Sequence, residues 1–91
     1  MAQKWTREEA INFECARETI TQVIAIVAFH IAKEIAKAGP DLRYIAELDR
    51  MQSDLGTERE SLSIFDHADI ARIFEVYGKL GVAATFAAQS N

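Results

Sequence analysis

Residues Ile20–Ala38, ITQVIAIVAFHIAKEIAKA, decide how this chain folds. Neither glycine nor proline interrupts the stretch, and apolar side chains fall on almost every side of the helix it spells. A helix that is one layer of an ordinary core needs a single apolar stripe; a helix apolar on two sides is central in its fold, or shared with a partner.

Upstream, Thr6-Arg7-Glu8-Glu9 has the spacing of a capping box, with two glutamates at the positive end of the helix dipole. The next Gly-Pro signal is Gly39-Pro40, so a helix over 7–38 is expected, closed by Lys33, Lys37 and a Gly39 cap. Its main stripe is Phe13, Ala16, Ile20, Val23, Ile24, Val27, Ile31 and Ile35. A second stripe on roughly the opposite side holds Ile11, Cys15, Ala25, Ile26, Phe29 and Ala36, with His30 at the seam. About 50 further residues must cover some 45 Å of helix, enough for one side. The second stripe, through Ile11, Cys15, Ile26, Phe29 and His30, is therefore the expected homo-oligomer interface.

Downstream, Pro40-Asp41 opens a second helix over 41–55, with Leu42, Ile45, Leu48, Met51 or Gln52, and Leu55 as its loose apolar stripe. Gly56 stops it, and 56–65 reads as a loop pinned by Leu62, Ile64 and Phe65, although Thr57-Glu58-Arg59-Glu60 has capping-box spacing. Ser63 or Asp66 caps a third helix over 66–88, apolar at Ile70, Ile73, Phe74, Tyr77 and Leu80. Gly78 and Gly81 each cost about 1 kcal/mol relative to alanine inside a helix, and either break it at 78–81 or permit close packing. The expected fold class is all-α: a small three-helix bundle in one domain, oligomerised through its long N-terminal helix.

Composition narrows the function. The chain has 91 residues, 49% of them hydrophobic, and a net charge of −4. Residues 1–39 are neutral, whereas 40–61 hold six acidic residues against three basic. No basic stripe favours nucleic acid or anionic lipid, and LRYIAELDRMQSDL has the wrong sign for a DNA recognition helix. The longest uninterrupted apolar run, Val23 to Phe29, is far below the ~20 residues of a membrane span. A single cysteine excludes an internal disulfide and fits a reducing cytoplasm.

Candidate chemistry is sparse. Asp66, His67 and Asp69 are three potential ligands, but His67 and Asp69 diverge by about 200° on a helix, and acids in a first turn are already explained by capping. Cys15 and His30 lie more than ~20 Å apart on one straight helix, and His30 pairs more naturally with Glu34 four residues on. No phosphate loop, GxSxG, HExxH or CxxC is present, so neither a metal, a cofactor nor an enzymatic activity is expected.

Two readings remain. The first is a non-enzymatic interaction protein that inhibits, sequesters or bridges a protein partner, through Trp5 and the acidic Glu47, Asp49 and Asp54. Inhibitors, antitoxins and adaptors of phages and mobile elements share this small, acidic, helical composition, an association that no motif carries. The second is an oligomeric binder of a small anionic ligand, held between subunits by Arg17, His30, Arg43 or Tyr44.

Overall fold

In the computed structural model, residues 4–89 are described, and side chains through residue 78. Three helices follow one another: α1 (Arg7–Ile35), α2 (Leu42–Ser61) and α3 (His67–Gln89). No strand occurs among the described residues, and the architecture is a small all-α bundle built on α1.

The start of α1 follows from local chemistry. Thr6 Oγ1 accepts from the Glu9 amide at 3.0 Å, and Glu9 Oε1 accepts from the Thr6 amide at 2.8 Å, closing the capping box. Ala16, Ile20, Val23 and Val27, spaced four, three and four, then form the buried stripe. α2 returns antiparallel along this stripe, setting Leu48 and Leu55 into the core. Its Gln52 side chain reaches the Ile24 carbonyl and its Arg59 the Thr21 hydroxyl, so Gln52 faces α1 and Met51 does not. α3 begins beside the first turn of α1, where His67 Nε2 meets Glu9 Oε2 at 2.5 Å, and runs in the direction of α1 with Ile70 and Ile73 in the core. α2 and α3 each pack along α1, and Glu58 of α2 bonds Arg72 and Tyr77 of α3.

Several boundaries differ from the sequence expectation. α1 ends at Ile35 with Ala36 as its cap residue, and no described glycine has positive φ, so Gly39 is not a left-handed cap. The chain is turned instead by Glu34, which is only 6% exposed. Its Oε1 accepts from Lys37 Nζ and its Oε2 from the Asp41 amide, both at 2.9 Å. Seven residues past Val27, Glu34 occupies the next position of the buried stripe. Ile35, expected in that stripe, is 58% exposed. Pro40 lies outside α2, and Asp41 is the cap, its carboxylate accepting from the Arg43 and Tyr44 amides at 3.1 Å.

α2 does not stop at Gly56. It continues to Ser61, and the connection shrinks from 56–65 to 62–66. The ~1 kcal/mol helix penalty of glycine is outweighed by what the last turns bring: buried Leu55 just before it, then Glu58 and Arg59, which bond α3 and α1. Thr57–Glu60 is thus helix interior. The backbone of α3 is helical through Gly78 and Gly81 without a break. Asp66 Oδ2 accepts from the Ser63 amide at 2.9 Å, which closes the short connection before α3. The Leu80 side chain lies outside the described residues.

Candidate functional site

The most structured surface feature follows from the way α2 and α3 share α1. A cleft of about 480 Å³ lies between them, lined by Val23, Glu47, Arg50, Met51, Asp54, Leu55, Glu58 and Tyr77. Val23 and Leu55 are buried core residues that reach its floor, while Met51 leaves half its surface in solvent. Glu47 and Asp54 lie seven residues apart, on one side of α2, and neither is in an ion pair among the described residues.

One end of the cleft is bridged by a polar strut. Glu58 Oε2 accepts from Arg72 Nη2 at 2.6 Å, and Glu58 Oε1 accepts from the Tyr77 hydroxyl at 3.0 Å. Arg72 also approaches Asp69 at 3.7 Å. Burial first, and then the hydrogen bond to Glu58, hold the Tyr77 phenol above its ordinary value, so it remains a donor. The Arg72 guanidinium is stabilised in its charged form chiefly by the same carboxylate. Nothing local to Glu58 signals this role in the sequence, because its partners lie fourteen and nineteen residues further on.

Of the three acidic residues expected to bind a partner, Glu47 and Asp54 are brought to the cleft, and Asp49 is exposed on α2 outside its lining. Trp5 is at the opposite end of α2, edge-on to Phe65 with ring centroids 6.4 Å apart, so part of its surface docks on its own chain. The expected oligomer face is uncovered: Ile11 is 51% and Phe29 55% exposed, Cys15 and His30 are exposed, and Ile26 is half-buried.

His30 does not bond Glu34, whose two oxygens are taken by Lys37 and Asp41; it stacks edge-on against Phe29 at 5.7 Å. The Asp41 amide, and then Lys37, hold the Glu34 carboxyl below its ordinary value. His67 turns to Glu9 and Asp69 towards Arg72, so the cluster 66–69 does not converge, and no group of three metal-ligating side chains occurs among the described residues.

The residues expected to hold a small anion are separated. Arg43 and Tyr44 start α2, beside the end of α1, whereas Arg17 lies eighteen residues before Ile35, about 27 Å along the axis. Arg17 packs its guanidinium over Phe13 at 5.6 Å. A different cation stands near it: Thr21 donates its hydroxyl to the Arg17 carbonyl and accepts from Arg59 Nη1, both at 3.0 Å. The Nε groups of Arg17 and Arg59 are buried with no acceptor among the described residues.

By length and composition, α1 is also sufficient to cross a membrane: its qualifying 18-residue window has mean hydropathy 1.3, with 22% of that window buried. Comparison with family models, curated proteins and solved structures gave no match to the chain.

Proposed function

We propose that this is a non-enzymatic helical interaction protein that binds a protein partner through the acidic side of α2, and so inhibits, sequesters or bridges it. The observation that carries the reading is the pairing of unpartnered Glu47 and Asp54 with an apolar cleft floor. Carboxylates beside the half-exposed Met51 supply orientation and apolar area together, the combination recognition surfaces use. Asp49 adds a third carboxylate on α2, and Trp5, 42% exposed and edge-on to Phe65, is a separate contact point. The test is capture of a defined protein from the source-cell lysate by wild type and by Glu47/Asp49/Asp54→Lys. Loss of that protein by the variant is expected; equal recovery overturns the reading.

Self-association through Ile11, Cys15, Ile26, Phe29 and His30 belongs to the same proposal. Light scattering after size exclusion should give a mass above one chain at tens of micromolar, and a strictly monomeric result overturns it. The reading also treats α1 as the core helix of a cytoplasmic domain, supported by its buried stripe. Retention in carbonate-washed membranes would overturn that part.

A second reading, a binder of a small anionic ligand, has one observation in its favour: the Nε–H groups of Arg17 and Arg59 have no acceptor among the described residues. Thermal shift with phosphate and nucleotides tests it, since a ligand at 100 times its Kd adds about 2.7 kcal/mol. No shift with wild type, or a shift that survives Arg59→Gln, removes it.

A further inference from the structure

We infer that the uncovered face of α1 takes a second copy of this chain in antiparallel orientation, in the register that sets Glu18 opposite Gln22. This rests on the self-association proposed above and adds the direction and register of the pair.

The uncovered face is a seam. Ile11, Cys15, Glu18, Gln22, Ala25 and Phe29 follow one another at alternating spacings of four and three, the repeat by which one helix lies along another. Ala32 and Ala36 continue it, and every member is exposed. α2 and α3 occupy the other side of the helix, over Ala16, Ile20, Val23 and Val27.

The two polar members fix the direction. In a parallel pair each residue meets its own copy, so two Glu18 carboxylates would face each other at the middle of the contact. In an antiparallel pair Glu18 meets Gln22 of the second copy, whose amide donates to the carboxylate, and symmetry makes the contact twice. The same register sets Phe29 against Ile11 and Cys15 against Ala25, so that one bulky layer and one small layer repeat on either side of the centre. A slip of one heptad puts Glu18 opposite Phe29 or Cys15, a charge against an apolar group with no partner.

The edges agree with the centre. Glu8 and Lys33 are twenty-five residues apart, which returns them to within about 20° on the helix, so they flank the seam on one side. The register brings Lys33 of one copy within one residue of level with Glu8 of the other, at both ends of the pair. Glu8, Glu18 and Lys33 are in no ion pair among the described residues, so all three are free to be used there. A foreign helix or a lipid surface would have to accept Glu18 and Gln22 in the middle of its contact. A second copy answers each with the other.

The experiment uses the full chain, with sedimentation equilibrium to read the dimer Kd and diamide oxidation to read direction. Gln22→Glu sets like charges opposite each other and should raise the Kd by about tenfold or more. Glu18→Lys/Gln22→Glu should bring it back to the wild-type value or below, since each lysine then meets a glutamate. In a parallel pair the double variant would repel at both positions. Both sites are exposed, so the far-UV spectrum should not change. In the antiparallel register the two Cys15 residues stand ten positions apart, about 15 Å, beyond disulfide reach. Wild type should therefore stay uncross-linked, whereas Ala25→Cys should form a covalent dimer through Cys15.

A dimer that cross-links through Cys15 alone, or that the double variant fails to recover, overturns the antiparallel register and leaves self-association standing. A strictly monomeric chain at tens of micromolar overturns both. A monomer that binds phosphatidylglycerol vesicles, or that loses a captured protein on Phe29→Lys, gives the face to lipid or to another protein and likewise overturns the inference.

Discussion

The two sides of α1 carry similar numbers of apolar residues and meet opposite fates. On one side Ala16, Ile20, Val23 and Val27 are closed off by both other helices; on the other, Ile11 and Phe29 keep half their surface in water. The difference lies in what interrupts each row. Ile11, Cys15, Ala25 and Phe29 share their side with Glu18 and Gln22, which fall in the middle of it, while nothing polar enters the covered row until Glu34. Apolar count alone therefore misjudges a helix; continuity of the row and the size of its members decide which face a small chain covers first.

The contrast can be broken by mutation, most severely at its centre. Ile20→Ala, at a fully buried site, should cost about 2–5 kcal/mol and leave the chain close to unfolded, read by urea denaturation. Glu34→Gln attacks the polar end of the covered row. It keeps the volume but loses the Lys37 ion pair and weakens the acceptor for the Asp41 amide, so the thermal midpoint should fall. The pH dependence follows from the direction of the shift: the folded carboxyl is held below its ordinary value. Its contribution is therefore complete above the unfolded value, near pH 4, and is lost as pH falls through the lower folded value. In the Gln variant that part of the acid limb should flatten; an unchanged limb would show that Glu34 does not govern it.

Gly56→Ala sharpens the comparison from the covering side. A Cβ there meets nothing within 4 Å and φ is not positive, so α2 should gain about 0.5–1 kcal/mol. A loss of stability would mean that the helix does not run through 56. Phe29→Ala should be smallest, within about 0.5 kcal/mol at high dilution, because its ring is largely in solvent. A larger loss that grows with protein concentration would place a second chain on that face.

Much of this fold was readable because it is local. The Thr6–Glu9 box, the spacing of the α1 stripe and the absence of strand alternation all depend on neighbours within one or two turns. The end of α2 was not, since glycine propensity at 56 competes with Glu58 and Arg59 contacts to residues fourteen and thirty-eight positions away. Glu34 leaves only a trace in the sequence: it continues the stripe at the seventh residue after Val27, beside the apolar Ile35 that the pattern favours. Of the candidate binding residues, Glu47 and Asp54 were visible as an acidic excess. Their placement beside Val23 and Tyr77 was not, because it depends on how two helices far apart in sequence are set on a third.

That arrangement has a kinetic meaning as well. α3 is held by α1 and by the Glu58 side chain of α2, so its departure leaves the α1–α2 hairpin its mutual surface. Among the described residues, the connection 62–66 and the Glu58 strut hold it besides α1. Native-state hydrogen exchange should therefore resolve two cooperative units, with the amides of α3 opening at lower free energy than those shared by α1 and α2. Glu58→Gln should widen the interval between them.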